Sequence, residues 1–349
     1  MFGRLFRKFS KDIGIDLGTS NTLVYTKDKG IVIDEPSVVA INIRTEQILA
    51  VGNEAKNMLG KTPPHIAVTR PLTKGIISDY EVTEKMLKYF IDKVHEDGFR
   101  VSSRPRVITC VPLEVTEVET KAVEDAAISA GARQVFVVQA PMAAAIGARM
   151  PIQDPIGNMV VDIGGGNTEI AVISLSGVVV WKSTPIAGDE MNRNIMQYAR
   201  DTFNIFIGER YAEQIKIKIG SAAELSETME FPMRGRDVMT GLPREVMITD
   251  AHIREALKRS VDIIVDHIRM TLEITPPELT ADIHERGMLL TGGGALLRGL
   301  DAVITKKAEI PVRVSDDPLT AVVRGTGVLL DDQALLQEVM LPSARDSKP

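Results

Sequence analysis

The chain has 349 residues, 44% hydrophobic and 25% charged, with a formal net charge of −6. That is the composition of a folded chain of about two domains, and it excludes wholesale disorder, while the acidic balance argues against nucleic acid as a partner. The single cysteine, Cys110, excludes a disulfide framework and fits a reducing cytoplasm, and no apolar run approaches the roughly 20 residues of a membrane span.

At the N-terminus, Phe2, Leu5, Phe6 and Phe9 fall at i, i+3, i+4 and i+7, flanked by Arg4, Arg7, Lys8 and Lys11. The cations break the apolar stretch a signal peptide needs. The pattern suits a short helix lying in an anionic membrane surface, with a core-packed terminal helix as the alternative. Two apolar runs, Ile13-Gly14-Ile15 and Leu23-Val24-Tyr25, then flank Asp16-Leu17-Gly18-Thr19-Ser20-Asn21-Thr22, which reads as a β-hairpin. Residues 32–65 are irregular, an insertion on the core. Residues 78–96 repeat apolar groups at Val82, Met86, Leu87, Phe90, Ile91 and Val94, a helical stripe capped by Ser78 or Asp79. The loop Gly98-Phe99-Arg100 offers a second membrane insertion point at Phe99. Arg106 to Val111 is a buried strand stopped by Pro112, and Thr116 with Glu119 forms a capping box for a helix running to Ala130. Gln134 to Val138 is a strand and Met142 to Ala148 a helix. A second hairpin follows, Asp162-Ile163-Gly164-Gly165-Gly166-Asn167-Thr168, between Met159-Val160-Val161 and Ile170-Ala171-Val172-Ile173. Residues 182–245 form another irregular insertion. Asp250 is placed to cap a long helix ended by Pro276-Pro277. A strand ending at Leu290 then meets the cluster Gly292-Gly293-Gly294-Ala295, and residues 343–349 are a tail. Strands alternate with helices in both halves, so the class is α/β.

The two heptads agree at Asp, Gly, Asn and Thr. A glycine turn of this kind exposes backbone N–H groups, the donors a phosphate requires, beside an aspartate suited to a hydrated divalent cation. The third cluster, on its own a plain strand-to-helix turn, gains weight beside them, because glycines let a backbone approach a flat base or ribose. Together they describe a nucleotide cleft between domains. Other nucleotide sites fail: Gly60-Lys61-Thr62 resembles the end of a P-loop, but Ala55 stands where its first glycine belongs, and no Gly-x-Gly-x-x-Gly follows a strand. The histidines (65, 95, 252, 267 and 284) show no metal-ligand spacing, and Cys110 reads as core.

The order of these motifs resembles the actin, sugar kinase and heat-shock chaperone superfamily. More narrowly, the chain is similar along nearly its whole length to the bacterial actins of the MreB family, through Ile15 to Leu23, Pro141 to Gly147, Asp162 to Gly166, Ala187-Gly188-Asp189 and Leu290 to Ala295. The resemblance implies an actin-like ATPase fold: two ribonuclease H-like domains around a nucleotide cleft, each with a smaller inserted subdomain. Domain I would span residues 1–145 with an insertion at 33–66, and domain II 146–319 with an insertion at 182–245. A return helix at 320–340 would complete domain I, leaving 341–349 as tail. It further implies ATP or ADP with Mg²⁺. Thr19, Ser20 and Asn21 would meet the phosphates from one side and Gly164, Gly165 and Gly166 from the other. Asp16 and Asp162 would hold Mg²⁺ through water. The segment Ala212, Glu213, Gln214, Ile215 and Lys216 would lie at the ribose, with a solvated helix face as the alternative for Glu213 and Lys216, and Gly292 to Ala295 would lie at the adenine. The implied partners are further copies of the chain in paired protofilaments, with Val118 at the pairing surface or, by periodicity, in the core. They also include the inner face of the membrane and the membrane proteins of cell-wall elongation.

The chain departs from the pattern where water is activated. The family normally carries Glu before this proline, and here it is Ala140, preceded by Gln139; after the glycines it usually carries Thr, and here it is Asn167. An alanine cannot orient or polarise water, so weak or absent hydrolysis is expected with nucleotide binding intact. The rival readings are a small-molecule kinase, which needs an acidic base in the cleft, and a chaperone ATPase, for which the chain leaves no room for a peptide-binding domain.

Overall fold

The computed structural model describes residues 12–95 and 104–342. They form two compact units. The first takes the chain through Asp154, the segment Ser174–Val178 and the chain from Thr320; the second takes Pro155–Ile173 and Val179–Leu319. The first unit extends past the expected 145 because the chain folds back on its preceding helix, Arg149 and Met150 donating their N–H groups to the carbonyls of Ile146 and Ala145.

The first unit begins with β1 (Ile13–Leu17), β2 (Asn21–Thr26) and β3 (Gly30–Pro36). The region expected to be irregular is ordered: β4 (Val39–Asn42), β5 (Gln47–Val51), α1 (Asn53–Met58) and β6 (Ile66–Thr69) include a separate sheet of order β5-β4-β6. A small hairpin, β7 (Leu72–Thr73) and β8 (Ile76–Ile77), precedes α2 (Tyr80–His95), β9 (Arg106–Val111), α3 (Glu117–Ser129), β10 (Gln134–Gln139) and α4 (Ala140–Gly147). The main sheet has the order β10-β9-β1-β2-β3. Here β1 runs antiparallel to β2 and parallel to β9, which runs parallel to β10. Ile13, Ile15 and Leu17, alternating along β1, meet the α2 stripe of Val82, Met86, Leu87, Phe90, Ile91 and Val94 in one core. Each such side chain, fully buried, contributes roughly 1.5–3 kcal/mol. The α2 cap is Asp79, whose Oδ1 accepts the Val82 N–H at 3.1 Å, and α3 carries its reciprocal box, Thr116 N–H to Glu119 Oε2 at 2.8 Å and Glu119 N–H to Thr116 Oγ1 at 3.2 Å.

The second unit repeats the plan. It contains β11 (Asn158–Ile163), nearly all of β12 (Thr168–Ser174), most of β13 (Gly177–Thr184), α5 (Gly188–Phe203), β14 (Ile205–Phe206), α6 (Glu209–Ile219), β15 (Glu230–Asp237) and β16 (Pro243–Thr249). There follow α7 (Asp250–Glu273), α8 (Pro277–Arg286), β17 (Met288–Thr291), a 3-10 turn at Gly293–Leu296, α9 (Leu300–Ala308) and β18 (Val312–Val314). Its main sheet, β13-β12-β11-β17-β18, matches the first sheet strand for strand, and a small sheet β14-β15-β16 fills the second region expected to be irregular. The α7 cap differs from the sequence expectation. Thr249 is the capping residue, its N–H accepted by His252 Nδ1 at 3.0 Å, while Asp250 accepts the Met229 N–H at 3.0 Å and pairs with Arg254.

Two last helices, α10 (Ala321–Asp331) and α11 (Gln333–Val339), belong to the first unit. Gly325 of α10 lies so close to the Ala143 carbonyl of α4 that any side chain there would collide with it, so the glycine lets two backbones touch at the start of the strand-to-helix corner that carries Ala140.

Candidate functional site

Both heptads fold as the same hairpin. In the first unit Leu17 pairs with Thr22 and Asp16 with Leu23; in the second Ile163 pairs with Thr168 and Asp162 with Glu169. Each tip is closed by one bond, Gly18 N–H to the Asn21 carbonyl at 3.1 Å and Gly164 N–H to the Asn167 carbonyl at 3.0 Å. The carbonyls of the tips are then occupied from behind. Ser37 Oγ donates to the Gly18 carbonyl at 2.6 Å and the Ser37 N–H to the Ser20 carbonyl at 3.0 Å. In the second unit the first N–H groups of α5 do this work, Gly188 to Gly164 at 3.1 Å and Asp189 to Gly165 at 2.8 Å. A trans peptide sets its C=O and N–H on opposite sides, so the N–H groups of Thr19, Asn21, Gly165 and Gly166 are turned away from these supports. Those of Thr19, Ser20, Gly165 and Gly166 donate to no group among the described residues. Ordered backbone donors with no protein partner make an anion-binding concavity.

The side chains of the first tip divide by task. Thr19 is buried and its Oγ1 accepts the Gly75 N–H at 2.6 Å. Asn21 Nδ2 is held by Asp34 Oδ1 at 3.1 Å. Ser20 makes no side-chain hydrogen bond among the described residues, which leaves its hydroxyl open to a ligand. In the second unit Lys216 Nζ of α6 donates to the Gly188 carbonyl at 2.7 Å, tying that lysine to the α5 turn beneath the tip.

Asp16 and Asp162 occupy equivalent positions of the two ladders. Desolvation pushes the Asp162 carboxyl up to about 6, and it has no hydrogen bond or ion pair among the described residues. A carboxylate in that condition gains from a nearby cation, so the donor set fits a Mg²⁺ held through water. Among the described residues no three acidic, histidine or cysteine side chains gather as a metal cluster. Gly292 stands against this carboxylate with φ +77°; any side chain there would collide with Asp162 Oδ1 and the Ile163 carbonyl.

Three residues expected at the nucleotide lie in the core instead. Ala212 and Ile215 on the inward stripe of α6, and Ala295 in the 3-10 turn, have their side chains in the buried cluster of the second unit. On the same segments Glu213 and Lys216 are half-buried, Gln214 is exposed, and Gly293 is open. At Gly292 and Gly294 the space a Cβ would take is filled by the chain's own Asp162 and Ile163. Ala140 opens α4 directly after Gln139, which caps the helix with its backbone (φ −69°, ψ 134°) and no side-chain bond. Asn167 is half-buried at the closing bond of its tip. Val118 is 78% exposed on α3, a surface residue and not a core one. Phe2, Leu5, Phe6, Phe9 and Phe99 lie outside the described residues. Sequence reading missed the supports Ser37, Gly75 and Asp34, which carry no local motif and meet the tip only through the fold.

One five-stranded sheet built twice, with an aspartate-bearing hairpin at the same place in each copy, defines the actin-like class of fold. A family model described as MreB/Mbl protein matches residues 10–338. Cell shape-determining protein MreB of Escherichia coli (strain K12) is 50% identical over 327 residues, 93% of this chain and 94% of that protein. Cell shape-determining protein Mbl of Bacillus subtilis (strain 168) is 48% identical over 324 residues, 93% of this chain and 97% of that protein. Among solved structures, MreB5 of Spiroplasma citri bound to AMPPNP superposes with a TM-score of 0.88 at 35% identity, covering 92% of this chain and 96% of that one; the same protein has also been solved bound to ADP. The chain belongs to the MreB/Mbl family of bacterial actins.

Proposed function

We propose that this chain binds ATP and ADP with Mg²⁺, polymerises into paired protofilaments on the inner face of the cell membrane, and acts with the membrane proteins of wall elongation to set cell shape. The observation that carries the nucleotide reading is the pair of equivalent tips whose backbone donors lack protein partners. The first tip offers phosphate the N–H groups of Thr19 and Ser20 and the Ser20 hydroxyl, and the second offers those of Gly165 and Gly166. Asp16 and Asp162 hold the hydrated Mg²⁺, which when bound neutralises phosphate charge. Glu213, Gln214 and Lys216 line the ribose, and the backbone of Gly292, Gly293 and Gly294 approaches the base. MreB5 bound to AMPPNP and to ADP supports this reading, and the cell shape-determining names of the relatives support the cellular role. The exposed Val118 suits a pairing surface, and the spacing of Phe2, Leu5, Phe6 and Phe9 among cations suits a membrane-surface anchor. Calorimetry tests the site: Asp162→Asn removes a charge with little change of shape, and should weaken ATP binding in Mg²⁺ at least tenfold while altering the Mg²⁺-free affinity little. Equal affinities in Mg²⁺ would refute the assignment.

Hydrolysis is slow because Ala140, at the first turn of α4, offers a methyl group where the family pattern places a carboxylate to hold the attacking water. A missing positioning group costs about 10²–10⁴-fold. Gln139 and Asn167 retain amide hydrogen-bonding capacity but no base. Ala140→Glu should therefore raise phosphate release at least tenfold with ATP affinity nearly unchanged; if the unaltered chain already releases phosphate at that rate, an amide has taken over the task. The absence of an acidic residue at position 140 also disfavours the small-molecule kinase reading.

A further inference from the structure

The turn joining β7 and β8 is two residues long, Lys74 and Gly75, with φ +54° and +78°. Two successive positive φ values define the hairpin turn that takes Asn, Asp or Gly at its first position. Lysine there is strained, since an L side chain in the left-handed region crowds its own backbone. Strain kept in a fold directs attention to what the residue does. The turn is also locked in place. Gly75 donates its N–H to Thr19 Oγ1 at 2.6 Å, and a side chain on Gly75 would come within 2.6 Å of Pro112 Cγ. Thr19 lies in the tip after β1, and Pro112 directly follows β9, whose last residue Val111 pairs with Gln139 of β10. The turn therefore sits on the carboxyl ends of the parallel strands β1 and β9, one strand away from Ala140. Lys74 itself is exposed and has no ion pair or hydrogen bond among the described residues.

We propose that Lys74 is a phosphate-binding cation that selects the terminal phosphate of the nucleotide, so that the first unit distinguishes the triphosphate from the diphosphate. The proposal rests on the nucleotide reading of the Thr19 tip. A cation on a turn bound to the Thr19 tip stands beside the phosphates that tip would take, and the terminal phosphate carries the charge a diphosphate lacks. An ammonium on a flexible stem acts there as a point charge, and the locked turn fixes where the stem begins.

The test is Lys74→Asn, which removes the charge and places at the turn a residue that accepts positive φ. Titration calorimetry would compare a non-hydrolysable ATP analogue with ADP, both with Mg²⁺, on the full chain. The analogue should lose about tenfold in affinity, the scale of one charged hydrogen bond, ADP should lose much less, and Lys74→Arg should restore the difference. The thermal midpoint of Lys74→Asn should be equal to or above that of the unaltered chain, which separates lost charge from lost fold. An unchanged ratio of the two affinities, or an equal loss for both nucleotides, would overturn the proposal. Failure of the unaltered chain to bind either nucleotide would instead overturn the reading of the tips on which it stands.

Discussion

The two hairpins share a register and a closing bond, yet they are held up by different means. In the first unit the support is made of side chains: Ser37 Oγ and Thr19 Oγ1 each take part in a bond of 2.6 Å, and Asn21 is held by Asp34. In the second it is made of backbone: the first N–H groups of α5 meet two glycine carbonyls, and Gly292 presses on the aspartate. The sequences follow from this. A tip braced by side chains can read Gly-Thr-Ser, because hydroxyls face both inward and outward. A tip whose carbonyls are met by the backbone of a helix terminus needs no side chains for that support and reads Gly-Gly-Gly.

The comparison breaks most severely at Gly292. Its φ of +77° with ψ 166° is a conformation essentially restricted to glycine, and the space for a side chain is taken by Asp162 and Ile163. Gly292→Ala should cost about 4 kcal/mol, the range of large single-site losses, read as a lowered urea midpoint. A loss below about 1 kcal/mol would show that the second tip adapts as readily as the first.

A smaller effect of opposite sign is expected at Asp162. Its carboxyl, raised to about 6 by desolvation, sits above the ordinary 3.8. The nucleotide-free folded protein therefore retains a proton that the unfolded chain gives up. Stability is full below about pH 4 and falls as pH rises through about 6. Above that, the buried charge costs at most about 3 kcal/mol. Asp162→Asn should raise the urea midpoint of the nucleotide-free protein at neutral pH and leave it unchanged below about pH 4, while losing the Mg²⁺-dependent affinity. The same gain at both pH values would mean that charge is not its cause. A site residue that weakens the empty protein is the usual cost of a preformed binding site.

Much of this was legible before the fold was known. The repeated heptad located both tips, the Thr116-Glu119 box marked a helix start, and the apolar stripe of α2 identified the face it buries. The short sheets within 32–65 and 182–245 were not legible, because strands such as Ile205–Phe206 have two residues and Gln47–Val51 is only partly buried, too little pattern to register as period two. The α7 cap was missed because His252, not an acidic or amide side chain, closes the box. A motif is contiguous in sequence, but the side chains of Ala212, Ile215 and Ala295 pack in the core. A helix turning every 3.6 residues sends alternate parts of that motif to the core.

The gentlest way to separate the tips is Thr19→Val, which keeps the shape and removes one oxygen. The Gly75 N–H then loses its acceptor, and a partly buried donor left unpaired costs about 1 kcal/mol. The second tip has no counterpart to this bond, because its carbonyls are held by the α5 backbone, so no single side-chain exchange there should reproduce the loss by the same route. Thr19→Val should lower the urea midpoint modestly and speed amide hydrogen exchange at Gly75, with exchange across β11 and β12 unchanged. Thr19→Ser restores the hydroxyl and should recover both. If Thr19→Val leaves the urea midpoint unchanged and Gly75 as protected as before, the hydroxyl is not what holds the β7–β8 turn on the tip, and Pro112 packing carries that contact alone.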